Sequence, residues 1–167
     1  MRVKLAYGTD GLVVEVPDHA TIVRPRDAPG LPEEDAAIRA ALRQPTGCPS
    51  LRSMVRSDDR VVIVFSDITR PMPNRRVLPV LLGELRHLPR GNILLLNALG
   101  THRPNTPDEL TAMLGPEIMH NYTVCQHDAW DRCGLIDLGS TLFGHRAVVS
   151  RRYYEATFKI REIRISS

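Results

Sequence analysis

Two short polar segments hold the side chains best suited to chemistry, Ser66-Asp67-Ile68-Thr69-Arg70-Pro71 and Gly100-Thr101-His102-Arg103-Pro104. Arg70 offers a permanent cation whose planar fork can grip a carboxylate by two hydrogen bonds. His102 offers an imidazole able to exchange protons near neutral pH, and Asp67 adds a carboxylate. Brought together, they would make a small-anion site with an acid/base. A plainer reading stands beside it: Asp67 and Thr69 cap turns, Arg70 is solvated, and His102 bonds a neighbouring carbonyl, since strand ends favour such residues for turn reasons too. Spacing alone leaves both readings open.

The elements around these segments decide whether they can meet. Val61 to Phe65 is an uninterrupted apolar run of the kind that a strand buried on both faces requires. Val77, Val80, Leu81, Leu82 and Leu85 then recur at helical periods up to His87, and Ile93 to Leu99 is a second buried run. The three form a β-α-β unit, whose crossover is expected to be right-handed. In such sheets ligands bind beyond the carboxyl ends of the strands, and both polar segments lie there. Thr106 followed by Pro107 and Glu109 reads as the capped start of a helix that runs to Leu114 and stops at Gly115.

Towards the N-terminus, residues 2 to 7 and 11 to 16 read as a hairpin around Gly8-Thr9-Asp10. Pro25 to Pro32 reads as loop, Glu33 to Arg43 as a helix closed by Pro45-Thr46-Gly47, and Pro49 to Arg56 as one more short helix. Towards the C-terminus, strand-like runs at Tyr122 to Gln126 and Ala147 to Ser150 flank a loop-rich Gly134 to Gly144. The sum is an α/β fold: a Rossmann-like three-layer sandwich with a mostly parallel central sheet and an N-terminal β-hairpin.

Composition narrows the function classes. A chain of 167 residues is long enough to bury a real core. Its net charge of +3 hints at nucleic acid, but Lys4 and Lys159 are the only lysines and the arginines are scattered, with no stripe or arm, so no nucleic-acid partner is expected. Cys48, Cys125 and Cys133 form no C-x-x-C pair, which fits a reducing cytoplasm. No stretch reaches the ~20 apolar residues of a membrane-spanning helix, and no membrane partner is expected. His145, His120, His87 and His19 read as surface or loop residues, and Trp130 as a packing residue.

Tyr7-Gly8, Val14-Glu15-Val16-Pro17, Pro45-Thr46-Gly47, the two polar segments with Glu109-Leu110, and Gln126-His127-Asp128 occur in order. Together they resemble the N-terminal domain of the nickel-pincer-nucleotide-dependent lactate racemase family. The resemblance covers nearly the whole chain to about Ala156, and the S-D-x-T-R-P and G-T-H-R-P segments are its specific parts. It implies an isomerase acting on a small 2-hydroxy acid. Its cofactor is a lysine-linked mononucleotide that holds nickel and takes the hydride from C2. By the same resemblance His102 is catalytic, removing the hydroxyl proton; Arg70 holds the substrate carboxylate; and Asp67 with Thr69 positions cofactor or substrate. His127-Asp128 also matches, but reads as a structural pair.

The resemblance stops short in one respect. The family's cofactor lysine in a G-G-x-K segment, its nickel-ligating histidine and its second catalytic histidine have no counterparts here, so no residue of this chain is assigned to metal. Residues 1–156 are expected to be a partial racemase-like domain and 157–167 an atypical charged tail. A truncated chain of this kind is expected to be inactive alone, and an exposed apolar surface would favour a homo-oligomer. The alternative is a non-catalytic anion- or nucleotide-binding α/β module that uses Arg70 and nearby backbone amides.

Overall fold

The computed structural model describes residues 1–24, 29–70 and 72–161. The middle of the loop expected at Pro25 to Pro32, Pro71 of the first polar segment and residues 162–167 lie outside the described residues. The chain divides into two compact units, Met1–Gly30 and Leu31–Ser167.

In the first unit, β1 (Arg2–Leu5) pairs antiparallel with β2 (Leu12–Glu15), as the alternation of apolar and polar residues predicts. Gly11 closes the turn at φ +76°, and a Cβ there would come within 2.9 Å of the Leu5 carbonyl oxygen. Only glycine meets both conditions.

The second unit is built on a four-stranded sheet in the order β5-β4-β3-β8, every neighbouring pair parallel. Its elements in chain order begin with α1 (Glu34–Arg43), α2 (Leu51–Met54), β3 (Val61–Ser66), α3 (Asn74–Glu84) and β4 (Ile93–Ala98). There follow α4 (Pro107–Leu114), α5 (Pro116–Asn121), β5 (Thr123–Gln126), β6 (Leu135–Ser140), β7 (Arg146–Ser150), α6 (Arg151–Glu155) and β8 (Phe158–Arg161).

One sheet face carries the main core. Val61, Ile63 and Phe65 of β3 with Ile93 and Leu95 of β4 pack against Leu51, Leu78, Leu81, Leu82, Leu110, Leu114 and Ile118 from α2 to α5. The opposite face, with Val62 and Leu96 buried, is bordered by α6 and the β6-β7 hairpin: Arg152, Glu155 and Ala156 share a hollow with Val62 and Leu94. α1 is tied to α3 by a buried acid, for Glu84 accepts hydrogen bonds from Arg39 and Arg43 at 3.1–3.3 Å. The bonds from Arg43 outweigh the effect of burial and, with those from Arg39, hold the Glu84 carboxyl below its ordinary value.

Several elements differ from the sequence expectation. Helix α3 starts at Asn74 rather than Val77, because the Pro73 carbonyl already accepts the amides of Arg76 and Val77 at 2.9 and 3.1 Å. The segment expected as loop from Gly134 to Gly144 contains β6, whose ladder with β7 slips between Asp137 and Ser140. The start of the expected charged tail is β8, docked in register from Val61 opposite Phe158 to Val64 opposite Arg161. Phe158 and Ile160 alternate with Lys159 and Arg161, so the apolar pair packs against the core while the cations stay exposed. Trp130 does not pack but is 80 % exposed, and His87 is half-buried, its Nε2 2.9 Å from the Val55 carbonyl oxygen.

Leu95 is wholly buried in the middle of β4, so Leu95→Ala should remove about 3 kcal/mol of stability in denaturant unfolding. Leu142, fully exposed in the β6-β7 turn, should tolerate the same change within about 0.5 kcal/mol.

Candidate active site

β3 and β4 run parallel with Ser66 opposite Ala98, so the chain leaves both strands at the same edge and the two polar segments emerge side by side. From β3 the chain turns at once, the Arg70 amide donating to the Asp67 carbonyl at 3.1 Å. From β4 it passes the buried Leu99 and turns at Gly100 (φ +60°), the His102 amide donating to the Leu99 carbonyl at 3.0 Å.

These turns bring Asp67, Thr69 and His102 into contact. His102 Nδ1 lies 2.5 Å from Asp67 Oδ2 across 35 residues of sequence, and Thr69 Oγ1 donates to Asp67 Oδ1 at 2.7 Å. Asp67 is only 5 % exposed, whereas the His102 side chain is 54 % exposed. Burial pushes the Asp67 carboxyl up, but the hydrogen bonds from His102 and Thr69 together outweigh it and leave the group below its ordinary 3.8. An ionised Asp67 accepts the Nδ1 proton, which fixes the ring's tautomer and leaves Nε2 as the nitrogen with a free lone pair. This is a histidine oriented by a buried acid and open to solvent on its other side, the arrangement expected of a general base.

Arg70 sits one residue beyond Thr69 and is exposed. Its side chain makes no hydrogen bond to the trio among the described residues; it stands at the same edge with its guanidinium available. Arg103, from the second segment, is committed elsewhere: it grips Glu109 by two bonds of 2.7 and 2.9 Å and also donates to the Pro104 carbonyl. Those bonds, helped by the Thr106 amide, pull Glu109 down to about 2. Thr106 and Glu109 form the capping box the sequence predicts at the start of α4. His127, expected as structural, has its amide bonded to the Asn97 carbonyl at 2.9 Å, and its ring borders a separate polar hollow of about 230 Å³ beside Cys125 and Arg152.

Asn97 and Asn105, which the sequence reading passed over, underlie the site together with Gln126, which it quoted only as part of a family motif. Asn97, Asn105 and Gln126 form a polar cluster directly beneath the two loops. The available signal was an asparagine inside the run Ile93-Leu94-Leu95-Leu96-Asn97, where an amide has no propensity reason to be.

Residues 7–167 match the family described as the lactate racemase N-terminal domain. The chain belongs to the lactate racemase family. Among curated relatives, a lactate racemase from Lactiplantibacillus plantarum is 32 % identical over 77 % of this chain and 31 % of its own length. One from Thermoanaerobacterium thermosaccharolyticum is 29 % identical over 96 % of this chain and 39 % of its own. The chain thus spans between 31 % and 39 % of the length of these lactate racemases. The solved lactate racemase apoprotein of the latter organism superposes with a TM-score of 0.77 and 26 % identity, over 96 % of this chain and 38 % of that one. A Thermotoga maritima protein shares the fold, with a TM-score of 0.60 at 19 % identity over 76 % of this chain and 32 % of that one.

Because the folded Asp67 carboxyl ionises more readily than the free group, its charge stabilises this lactate racemase domain above pH 3.8, and the contribution fades as pH falls through the depressed folded value. Acid titration followed by near-ultraviolet circular dichroism should therefore show a shallower loss of stability below pH ~4 in Asp67→Asn than in the unsubstituted chain.

Proposed function

We propose that this chain supplies one half of the active site of a 2-hydroxyacid racemase or epimerase: Arg70 binds the substrate carboxylate and His102, aligned by Asp67, exchanges the hydroxyl proton. The observation that carries this reading is the short Asp67–His102 contact made between two loops at one sheet edge, with the exposed Arg70 on the same turn as Asp67. A 2-hydroxy acid has its carboxylate and hydroxyl on adjacent carbons, so one fork-shaped cation and one imidazole suffice to orient it. His102 Nε2 is the group that takes up the hydroxyl proton of the bound acid and returns it; the hydride of C2 has no acceptor among the described residues.

In the family this chain resembles, the hydride that leaves C2 is accepted by a nickel pincer nucleotide, chemistry that amino-acid side chains cannot supply. The described residues do not fit as its holder. Among them no group of three or more His, Cys, Asp or Glu side chains could hold a metal ion. Lys159 pairs opposite Val62 near the amino end of β3, its ammonium bonded to the Ala156 carbonyl and 5.6 Å from the Tyr153 ring centroid. No step through that group is therefore assigned to this chain; Asp67, expected with Thr69 to position cofactor or substrate, contacts His102 directly, and Thr69 bonds to Asp67. The exposed Arg70 beside the turn at the end of β3 also supports a second reading, a carboxylate-binding module without turnover. The free Cys48, Cys125 and Cys133 support a reducing, cytoplasmic setting.

Titration calorimetry with L-lactate, D-lactate and malate at low and high salt tests the reading. Binding should persist at high salt, since a specific bidentate contact is screened less than diffuse attraction to scattered arginines. Arg70→Ala should weaken it by roughly 10- to 100-fold, the value of a charged hydrogen-bonded pair. Binding that disappears with salt, or that Arg70→Ala leaves unchanged, would refute the carboxylate site in both readings.

A further inference from the structure

Beneath the two site loops the carboxyl ends of three strands are joined by side-chain amides rather than by packed methyl groups. Asn97, fully buried in β4, donates through Nδ2 to the Ser66 carbonyl at 3.1 Å and the Phe65 carbonyl at 3.4 Å. Its Oδ1 accepts from Asn105 Nδ2 at 2.6 Å. Asn105, 4 % exposed, is gripped in turn by Gln126 at the end of β5: its amide donates to Gln126 Oε1 at 2.7 Å, and its carbonyl accepts from Gln126 Nε2 at 2.9 Å. The amides thus link one another and, through Asn97, the backbone at the end of β3.

Its attachment points are telling. Ser66 is the residue before Asp67, and Asn105 is three residues after His102. A single buried amide, Asn97, therefore spans from the stem of the acid-bearing loop to the stem of the histidine-bearing loop, and Gln126 holds the second stem from its far side. Methyl groups at these positions would fill the space equally well but would not fix a distance, because apolar packing is not directional. A 2.5 Å contact between loop side chains needs both stems fixed to a fraction of an ångström.

We propose that Asn97, Asn105 and Gln126 are positioning residues, a buried amide clamp that sets the Asp67–His102 distance and thereby the orientation of the proton-exchanging imidazole. The inference rests on the site reading given above for His102, and it adds residues that contact neither substrate nor cofactor. A residue needed only for folding would alter stability when changed; a positioning residue must alter the acid–histidine contact in a protein that stays folded.

The test is carbon-detected NMR titration of the Asp67 carboxyl in the full 167-residue chain, with far-ultraviolet circular dichroism as the check on folding. Gln126 is only half-buried, so Gln126→Leu removes both bonds to the Asn105 backbone at little cost in packing; Asn105→Ala, which cuts the link to Asn97, is the second variant should the first not fold. In a folded variant the Asp67 midpoint should rise by about one pH unit as the histidine donor withdraws, and the His102 amide should exchange with solvent at least roughly tenfold faster. In a His102→Gln background the change at position 126 should leave the Asp67 midpoint where that background already puts it. A folded variant with an unmoved midpoint, or equal shifts with and without His102, overturns the clamp. Lactate that fails to bind the unsubstituted chain while the midpoint responds would sink the substrate reading and leave the clamp's control of the pair standing; binding with an unmoved midpoint would sink the clamp alone.

Discussion

Parallel pairing of β3 with β4 is the constraint from which the site follows. In an antiparallel pair the chain leaves one strand where it enters the other, and Asp67 and His102 would sit at opposite ends of the sheet. In a parallel pair both exits share an edge, and the register that sets Ser66 against Ala98 makes the two exits level. The same apolar runs that force these strands into the interior thus deliver an acid and an imidazole to one place. Flanking by β5 on one side and β8 on the other keeps the pair central, where neither strand can slip without breaking two ladders.

At that edge, burial and exposure divide the labour. Asp67 is withdrawn from water, and its charge is tolerable only because His102 and Thr69 both donate to it. His102 bridges from that buried acid to solvent. The two arginines of the motifs, alike in sequence, have opposite fates. Arg103 is closed on Glu109 and the Pro104 carbonyl and helps secure the start of α4, whereas the exposed Arg70 side chain makes no such bond among the described residues. With Arg103 neutralised by Glu109, a carboxylate bound at this edge as proposed would face a single motif guanidinium, that of Arg70.

What the sequence disclosed was whatever rests on local pattern. The two apolar runs, the capping box at Thr106 and Glu109, and the N-terminal hairpin are each set by residues within a few positions of one another, and the shared edge followed from the parallel rule. What it concealed depends on distant partners or on weak amphipathy. β8 was masked by its cations, although Phe158 and Ile160 keep the period of two. β6 was masked by the glycines near it, Gly139 at φ +88° accompanying the slip in its ladder. The exposed Trp130 could not be told from a packed one, since aromatic identity does not report environment. Asn97 stood out inside its apolar run and Gln126 within its motif, but their partnership with Asn105 was hidden, because it lies in contacts that cross between strands.

A buried amide in a central strand is not explained by stability. Exchanging Asn97 for leucine would bury more apolar surface, and hydrogen bonds gained on folding contribute only about 1 kcal/mol each once lost bonds to water are counted. A satisfied polar group in a core therefore comes out near neutral against a hydrophobic one, and its distinctive property is that it accepts only one arrangement of its partners. At most places in a core that selectivity has no use. At the foot of two loops whose side chains must meet at hydrogen-bonding distance, it is the property required, and the cluster occurs at that edge of the sheet, where the acid and the imidazole depend on it.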